Sequence, residues 1–554
     1  MGLVRLFLRV IVIRLRRFAG ASVNTREEVC PAMVRTARIV LTIAYFFSCA
    51  LQLGAQSKSS ADSHRKQEDQ ETRIHRVETT VVDLPMGENQ APLRMDLSQL
   101  MKLYNVPGLS IAVIDDCKMV WAKGYGVIET GSSTPVTPKT LFQAGSISKP
   151  VAATGALYLA EHGKLVLDES VNEKLKTWKV PENDFTKNEK VTLRRLMSHT
   201  AGLTVHGFPG YDINDILPTL VQIFNGEKPA NTAPIRVDIL PGTKEVYSGG
   251  GITIEQQIMM DVTGKSFPAL MRELVLDKLG MADSSYEQPL PSARAAMTAS
   301  GTHADGKVVH GRWHIYPEMA AAGLWTTPTD LSKFAIEIAV SKHGKANRVL
   351  SEKMTNEMLK PVLEEAGLGL FMDKNNPGQF GHNGADEGFQ AILTMNAESG
   401  KGVAIMANSD NGIAVGDILL RSVAKEYDWN YKSGGQGAYP MLVLIAKAKG
   451  TQAALQWYAE LKKFPSAEYK VEERTLNSLG YTLLFSGQMQ DAITVFQCNV
   501  QEYPESGNVY DSLGEAYMKA GQKELAIQNY EKSLQLDPKN QNAVDMLKKL
   551  KEMK

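Results

Sequence analysis

Phe142-Gln143-Ala144-Gly145-Ser146-Ile147-Ser148-Lys149 is the stretch whose reading decides the fold of this chain. On a helix, Ser146 and Lys149 stand three residues apart on one face, so an amine lies within reach of a hydroxyl. A serine hydroxyl is a weak nucleophile until a neighbouring base takes its proton. Lysine serves as that base when burial disfavours its ammonium form. The residues that follow supply burial: Val151, Ala152, Ala153, Ala156, Leu157 and Leu159 leave little polar surface. Pro150 is tolerated in a first turn, and Gly163 is placed to cap the C-terminus. The helix N-terminus favours negative charge near Ser146. Taken alone, the spacing equally suits an ordinary helix start with a capping serine, so the rest of the chain decides.

Working outward, Leu97, Leu100, Met101 and Tyr104 fall at helical spacing within Leu93–Tyr104. Leu109–Ile114 and Met119–Val127 are β-rich runs joined by Asp115-Asp116-Cys117-Lys118, which reads as a hairpin turn. Thr192 is placed to cap a short helix through Met197, and His199 just after it reads as a loop-fixing residue. Tyr247-Ser248-Gly249 precedes a helix expected over Ile252–Thr263 and closed by Gly264. A further helix is expected from Leu331. Gly367–Phe371, Phe389–Met395 and Gly402–Asn408 read as strands, the last two antiparallel across Ala397-Glu398-Ser399-Gly400. Strands at both ends with helices between them predict an α+β fold, one antiparallel sheet flanked by helices.

Three motifs now stand in order: Ser146-Ile147-Ser148-Lys149, Tyr247-Ser248-Gly249 and His382-Asn383-Gly384. Ser198-His199-Thr200-Ala201-Gly202-Leu203, Leu279-Gly280-Met281 and Gly323-Leu324-Trp325-Thr326-Thr327 connect them. In order and spacing this region, about residues 93–430, resembles the serine β-lactamases and penicillin-binding proteins, in particular the class C β-lactamase-like group with its esterases and D-amino-acid peptidases. The resemblance implies that Ser146 is the nucleophile of an acyl-enzyme. It implies that Lys149 and the Tyr247 phenolate share the general-base work. His382 would complete the hydrogen-bond network, Gly384 would let substrate approach the strand, and the Ser146 and Ala385 N–H groups would form the oxyanion hole. Two positions depart from the pattern. Gly249 stands where class C β-lactamases place an asparagine, and His382 where many relatives have lysine. Both changes remove groups suited to penicillins, which ranks ester or D-amino-acid peptide hydrolysis above β-lactamase action. The reading from another class is a non-catalytic, penicillin-binding-like sensor or scaffold, against which the intact Ser146, Lys149 and Tyr247 argue.

The flanks carry other signals. A basic Met33–Arg38, an apolar Ile39–Leu53 and small residues before Gln56 have the form of a secretory signal peptide, with Met33 expected as the true start and residues 1–32 as an over-extension. The chain is therefore expected to be exported, periplasmic or extracellular, the alternative being membrane association through a basic amphipathic segment in residues 1–32. Residues 56–80 read as a polar linker and 81–430 as the hydrolase domain. Glycine-rich 431–438 reads as a second linker. Beyond it, Leu479-Gly480 recurs as Leu513-Gly514, Gly487 as Gly521 and Pro504 as Pro538, a 34-residue period. That is the tetratricopeptide period, clearest over 473–506 and 507–540, with a degenerate earlier copy over Met441–Pro465 and a capping helix over Gln541–Lys554. Such arrays suit a protein or peptide partner. With 61 basic and 61 acidic residues the chain has no net charge, and no nucleic-acid partner is expected. Cys30, Cys49, Cys117 and Cys498 form no disulfide framework. No Cys-x-x-Cys or His-Glu-x-x-His spacing occurs, so neither metal nor cofactor is expected.

Overall fold

The structure, a computed structural model, describes residues 69–87, 90–431, 437–465 and 469–552. The signal-peptide reading and most of the glycine-rich linker fall outside the described residues.

The organising element is a six-stranded antiparallel sheet. Its strands are β1 (Gly108–Asp115), β2 (Lys118–Gly126), β3 (Phe371–Met372), β4 (Gln379–Asp386), β5 (Phe389–Asn396) and β6 (Lys401–Ala407), in the order β2-β1-β6-β5-β4-β3. Strand β1 is buried along nearly its whole length, as its run of Leu109, Ile111, Val113 and Ile114 requires. Asp116 and Cys117, with φ of 50° and 54°, make the tight turn into β2 that the sequence called for. β5 and β6 pair from Lys401↔Asn396 to Ala407↔Gln390, again as read.

Five helices matter to the site: α1 (Ser148–Glu161), α2 (Gly249–Thr263), α3 (Met319–Ala322), α4 (Pro328–Ser341) and α5 (Gly412–Glu426). Helix α1 runs through the core. Val151, Ala152, Ala153, Ala156 and Leu157 are all fully buried, which is why its apolar residues show no one-sided pattern. It packs against α2 and α3, while α4 and α5 pack on the sheet.

Local differences from the sequence reading have local causes. Leu93–Met95 is a short strand paired with Val82–Leu84, and the expected helix begins only at Leu97. Asp96 fixes that start: its side chain accepts from the Gln99 N–H while Gln99 reaches back, a capping box. Helices α2 and α4 begin three residues earlier than the apolar pattern suggests, because Ser248 and Thr327 cap them. Gly367–Leu370 is a turn rather than a strand. Gly369 has φ +86°, and a Cβ there would lie 2.6 Å from the Ala153 Cβ, so this turn seats directly on α1. Residues 75–79, the end of the expected polar linker, are helical. There Val77 is buried, and Arg76 pairs with Glu426 at 2.6 Å.

After the sheet domain come α6 (Tyr439–Lys449), α7 (Thr451–Lys463), α8 (Glu473–Phe485), α9 (Met489–Glu502), α10 (Gly507–Lys519), α11 (Lys523–Leu536) and α12 (Gln541–Glu552). They form three helix pairs and a closing helix, matching the repeat phase. Gly480 and Gly514 lie where α8 meets α9 and α10 meets α11. A Cβ at either would stand 2.5 Å from Phe496 or 3.2 Å from Tyr530. The first pair touches the sheet domain, with Trp457 Nε1 donating to the Pro85 carbonyl at 2.8 Å.

Candidate active site

Ser146 sits in a 3₁₀ turn, Gly145–Ile147, that leads into α1. Gly145 has φ +50°, a conformation glycine adopts without strain. Ser148 pins the turn from below: its Oγ donates to the Gly145 carbonyl at 2.6 Å and accepts from the Leu324 N–H at 2.9 Å. Tyr286 OH donates to the Ser148 carbonyl at 2.6 Å.

Lys149 lies beneath the turn and is 3% exposed. Its Nζ donates to Ser146 Oγ at 2.8 Å and to the Ala321 carbonyl of α3 at 2.7 Å. The same Nζ is 5.0 Å from the centroid of the Tyr247 ring. Tyr247 is held from its backbone and its face. His206 Nδ1 donates to the Tyr247 carbonyl at 2.6 Å, and the His199 ring packs against the phenol at 4.3 Å. His199 Nδ1 accepts from the Ser248 N–H at 3.2 Å, and the Val246 N–H donates to the His199 carbonyl at 2.7 Å. The loop-fixing role read for His199 is what the structure shows, and the loop it fixes carries Tyr247.

Strand β4 closes the other side. Gly384 and Ala385 lie against the Ser146 turn, where Gly384 has no room for a side chain. A Cβ on Gly384 would be 1.9 Å from the Ala144 carbonyl oxygen, and one on Gly145 would be 2.4 Å from the Ala385 nitrogen. This contact brings the Ser146 and Ala385 amides to one place. His382, on the same strand, is 8% exposed; its Nδ1 lies 2.6 Å from the Asn383 carbonyl oxygen. A cavity of about 660 Å³ is lined by Ser146, Tyr247, His382, Gly384 and Ala385. All six residues singled out in the sequence therefore converge, Lys149 from beneath and the other five around one cavity.

Burial and the Lys149 charge set the electrostatics. His382 is pushed down to about 3 by burial, with the Lys149 ammonium adding to the effect, so its imidazole is neutral at physiological pH. Burial and Lys149 likewise hold His199 well below its ordinary range. Three buried carboxyls that sequence reasoning passed over stand nearby. Burial pushes Glu255 on α2 up to about 8, Glu318 before α3 up to about 8, and Asp386 on β4 well above the carboxylate range. Nothing in sequence marks them: Asp386 is followed by Glu387, and Glu255 by Gln256 and Gln257. Phe208 was also missed: its ring lies 2.9 Å from where a Gly249 Cβ would be. Elsewhere, His303 Nδ1 lies 3.2 Å from Glu387 and 3.5 Å from Asp410, a group of metal-ligating types in an ion-pair arrangement.

A buried amine on a serine, in a turn packed against a strand, is an arrangement that acyl transfer can use. The family model described as Beta-lactamase matches residues 93–427. The chain belongs to the beta-lactamase family. A Tetratricopeptide repeat model matches residues 512–540. The chain is 30% identical over 235 residues to a beta-lactamase of Pseudomonas fluorescens, covering 42% of this chain and 60% of that protein. It is 23% identical to the unguisins hydrolase ungD of Aspergillus violaceofuscus, covering 67% of this chain and 71% of that one. It is 26% identical to penicillin-binding protein 4 of Amycolatopsis lactamdurans, covering 58% of this chain and 86% of that one. Among solved structures, the octameric penicillin-binding protein homologue from Pyrococcus abyssi superposes with a TM-score of 0.50 at 23% identity, over 64% of this chain and 80% of that one, a likeness of fold.

Proposed function

We propose that this beta-lactamase-family chain hydrolyses an ester or amide bond through an acyl-enzyme on Ser146. The observation that carries the reading is the 2.8 Å contact between Lys149 Nζ and Ser146 Oγ, beneath a turn packed directly against Gly384 and Ala385. In the reacting form, neutral Lys149 or the Tyr247 phenolate takes the Ser146 proton and Oγ attacks the substrate carbonyl. The Ser146 and Ala385 N–H groups receive the developing oxyanion, an interaction worth about 3–4 kcal/mol per donor. The proton then passes to the leaving alcohol or amine, and water enters to release the acyl group by the same relay in reverse. A pure sensor has no use for this relay, so the catalytic reading is preferred.

The substrate is an ester or a peptide-like amide rather than a penicillin. A penicillin presents a carboxylate and an acylamino group. His382 stays uncharged near neutral pH, and Gly249 offers no amide. The experiment is covalent labelling of the purified protein with a fluorophosphonate. Wild type is labelled and Ser146→Ala is not; undiminished labelling of the variant places the nucleophile elsewhere.

Two further proposals concern the flanks. The helical repeats offer a docking surface for a protein or peptide partner, supported by the repeat match at residues 512–540. The chain is exported, supported by the basic, apolar and small-residue succession over Met33–Ala55. N-terminal sequencing of protein from the native host should begin near Gln56; an uncleaved cytosolic chain contradicts export.

A further inference from the structure

His303, Glu387 and Asp410 stand together at the surface and take no part in the proposed chemistry. They come from three separate connections: His303 from the loop around the Thr302–Val308 bridge, Glu387 from the turn between β4 and β5, and Asp410 from the link between β6 and α5. They lie far apart in sequence, so no ligand spacing announces them. Each offers one ligand atom, and the three atoms fall within 4.8 Å of one another. His303 Nδ1 is 3.2 Å from Glu387 Oε1 and 3.5 Å from Asp410 Oδ2.

An ion pair does not account for this group. A ring N–H makes a sound hydrogen bond out to about 3.2 Å, so an imidazolium here answers Glu387 and leaves Asp410 Oδ2 over. Two carboxylates also outnumber one imidazole, even a charged one. Among the described residues neither carboxylate pairs with a lysine or arginine. Lys307 is taken by Asp305 at 2.6 Å, and Arg312 turns to Glu129 at 3.8 Å. A divalent cation does account for the group. Ligands bound at about 2.1 Å around a tetrahedral ion lie about 3.4 Å apart. The separations of 3.2 and 3.5 Å bracket that spacing. All three side chains are partly exposed, which leaves a side open for water as a further ligand.

The ligands are held in place by the chain itself. Asp410 Oδ1 accepts the Gly388 N–H at 2.8 Å, which leaves Oδ2 for His303. Thr302, next to His303, stitches the other two connections together: its N–H donates to the Gly388 carbonyl at 3.1 Å, and its carbonyl accepts the Asp410 N–H at 2.9 Å. The Glu387 N–H donates to Tyr316 OH at 3.1 Å. Outer contacts of this kind fix the orientation of metal ligands.

We propose that His303, Glu387 and Asp410 bind a divalent transition-metal ion, with zinc the best match. One imidazole with two carboxylates suits zinc over magnesium or calcium, which take oxygen ligands. The ion ties together three connections, one of them at the end of β4, the strand whose Gly384 and Ala385 back the Ser146 turn. It is a structural brace, and it stands independently of the acyl-enzyme reading.

The test uses the full chain, stripped with a chelator and titrated with zinc chloride. Calorimetry gives one zinc per chain at micromolar or tighter affinity, and the thermal midpoint rises with zinc more than with the same concentration of magnesium. His303→Ala, Glu387→Gln and Asp410→Asn each weaken binding at least about tenfold, the scale on which metal sites suffer even when an outer contact is lost. His310→Ala, at the separate His310–Asp212 pair, leaves binding unchanged. X-ray absorption at the zinc edge needs no variant, and on the wild type it shows one imidazole among oxygen neighbours. Absence of micromolar binding, binding that survives His303→Ala, an equal rise with magnesium, or sulfur beside the zinc overturns the proposal.

Discussion

At the scale of single residues, the chemistry-bearing side chains were legible because their types are constrained by what they do. Ser146, Lys149 and Gly384 stand out in sequence because they fall in three short motifs in order, with a hydroxyl and an amine three residues apart on one helix face. Their surroundings were not legible. His382 reads as a group that titrates near neutrality, and only its burial shows that it stays neutral down to about 3. Gly249 reads as an empty place where an amide is missing. In the structure its backbone is the ordinary start of α2, outside the left-handed region, and the obstacle to a side chain is the Phe208 ring at 2.9 Å. It follows that wild type turns over short acyl esters with a higher kcat/KM than penicillins. Gly249→Asn alone gains little β-lactam acylation, because the new side chain and Phe208 compete for one space. Gly249→Asn with Phe208→Ala gains about tenfold or more, the effect of one added hydrogen bond to substrate. Steady-state kinetics on both substrate types check this; a wild type faster on β-lactams than on esters contradicts it.

At the scale of elements, period and caps were the readable signals. The α3–α4 region shows the limit: the apolar pattern puts the α4 start at Leu331, yet Thr327 accepts from the Asp330 N–H and sets it at Pro328. A cap is one residue outside the periodic run, so periodicity alone places the start late. The turn at Gly367–Leu370 reads as a strand because it is apolar, but its residues are buried by α1 rather than by strand pairing. The repeats were legible because 34-residue spacing repeats the close helix contacts, with Gly480 under Phe496 and Gly514 under Tyr530. The two glycines differ in clearance, 2.5 Å against 3.2 Å. Gly480→Ala should therefore destabilise the α8–α9 pair by about 1–3 kcal/mol, the usual cost of overpacking, and more than Gly514→Ala. Urea unfolding of both variants decides it; equal stability to wild type means the helices part at no cost.

At the scale of the whole molecule, the strands at the two ends of the domain and the helices between them were enough to predict the sheet. The Lys401–Asn396 hairpin and the β1–β2 hairpin both fell where the turns are. What no sequence pattern conveys is the load of buried titratable groups, and they make stability depend on pH in a calculable direction. Unfolded histidine takes up a proton near 6.5, but folded His382 refuses it until about 3, and His199 behaves in the same sense. The unfolded state thus binds more protons below 6.5, and stability falls as the solution is acidified through that window. Glu255 and Glu318 act oppositely: unfolded they ionise near 4.5, folded they keep protons to about 8, so stability falls as pH rises between those values. The two trends oppose one another between about 4.5 and 6.5, and the thermal midpoint should be highest there. A midpoint that keeps rising to pH 8 would show that these carboxyls are ionised in the folded protein.

The central claim is that Ser146 becomes acylated. Mass spectrometry of protein quenched during turnover of an activated ester measures this most directly. The account predicts a mass increase of one acyl group, located by peptide mapping to the segment containing Ser146 and absent from Ser146→Ala. An adduct on any other residue, or the same adduct in Ser146→Ala, would contradict it.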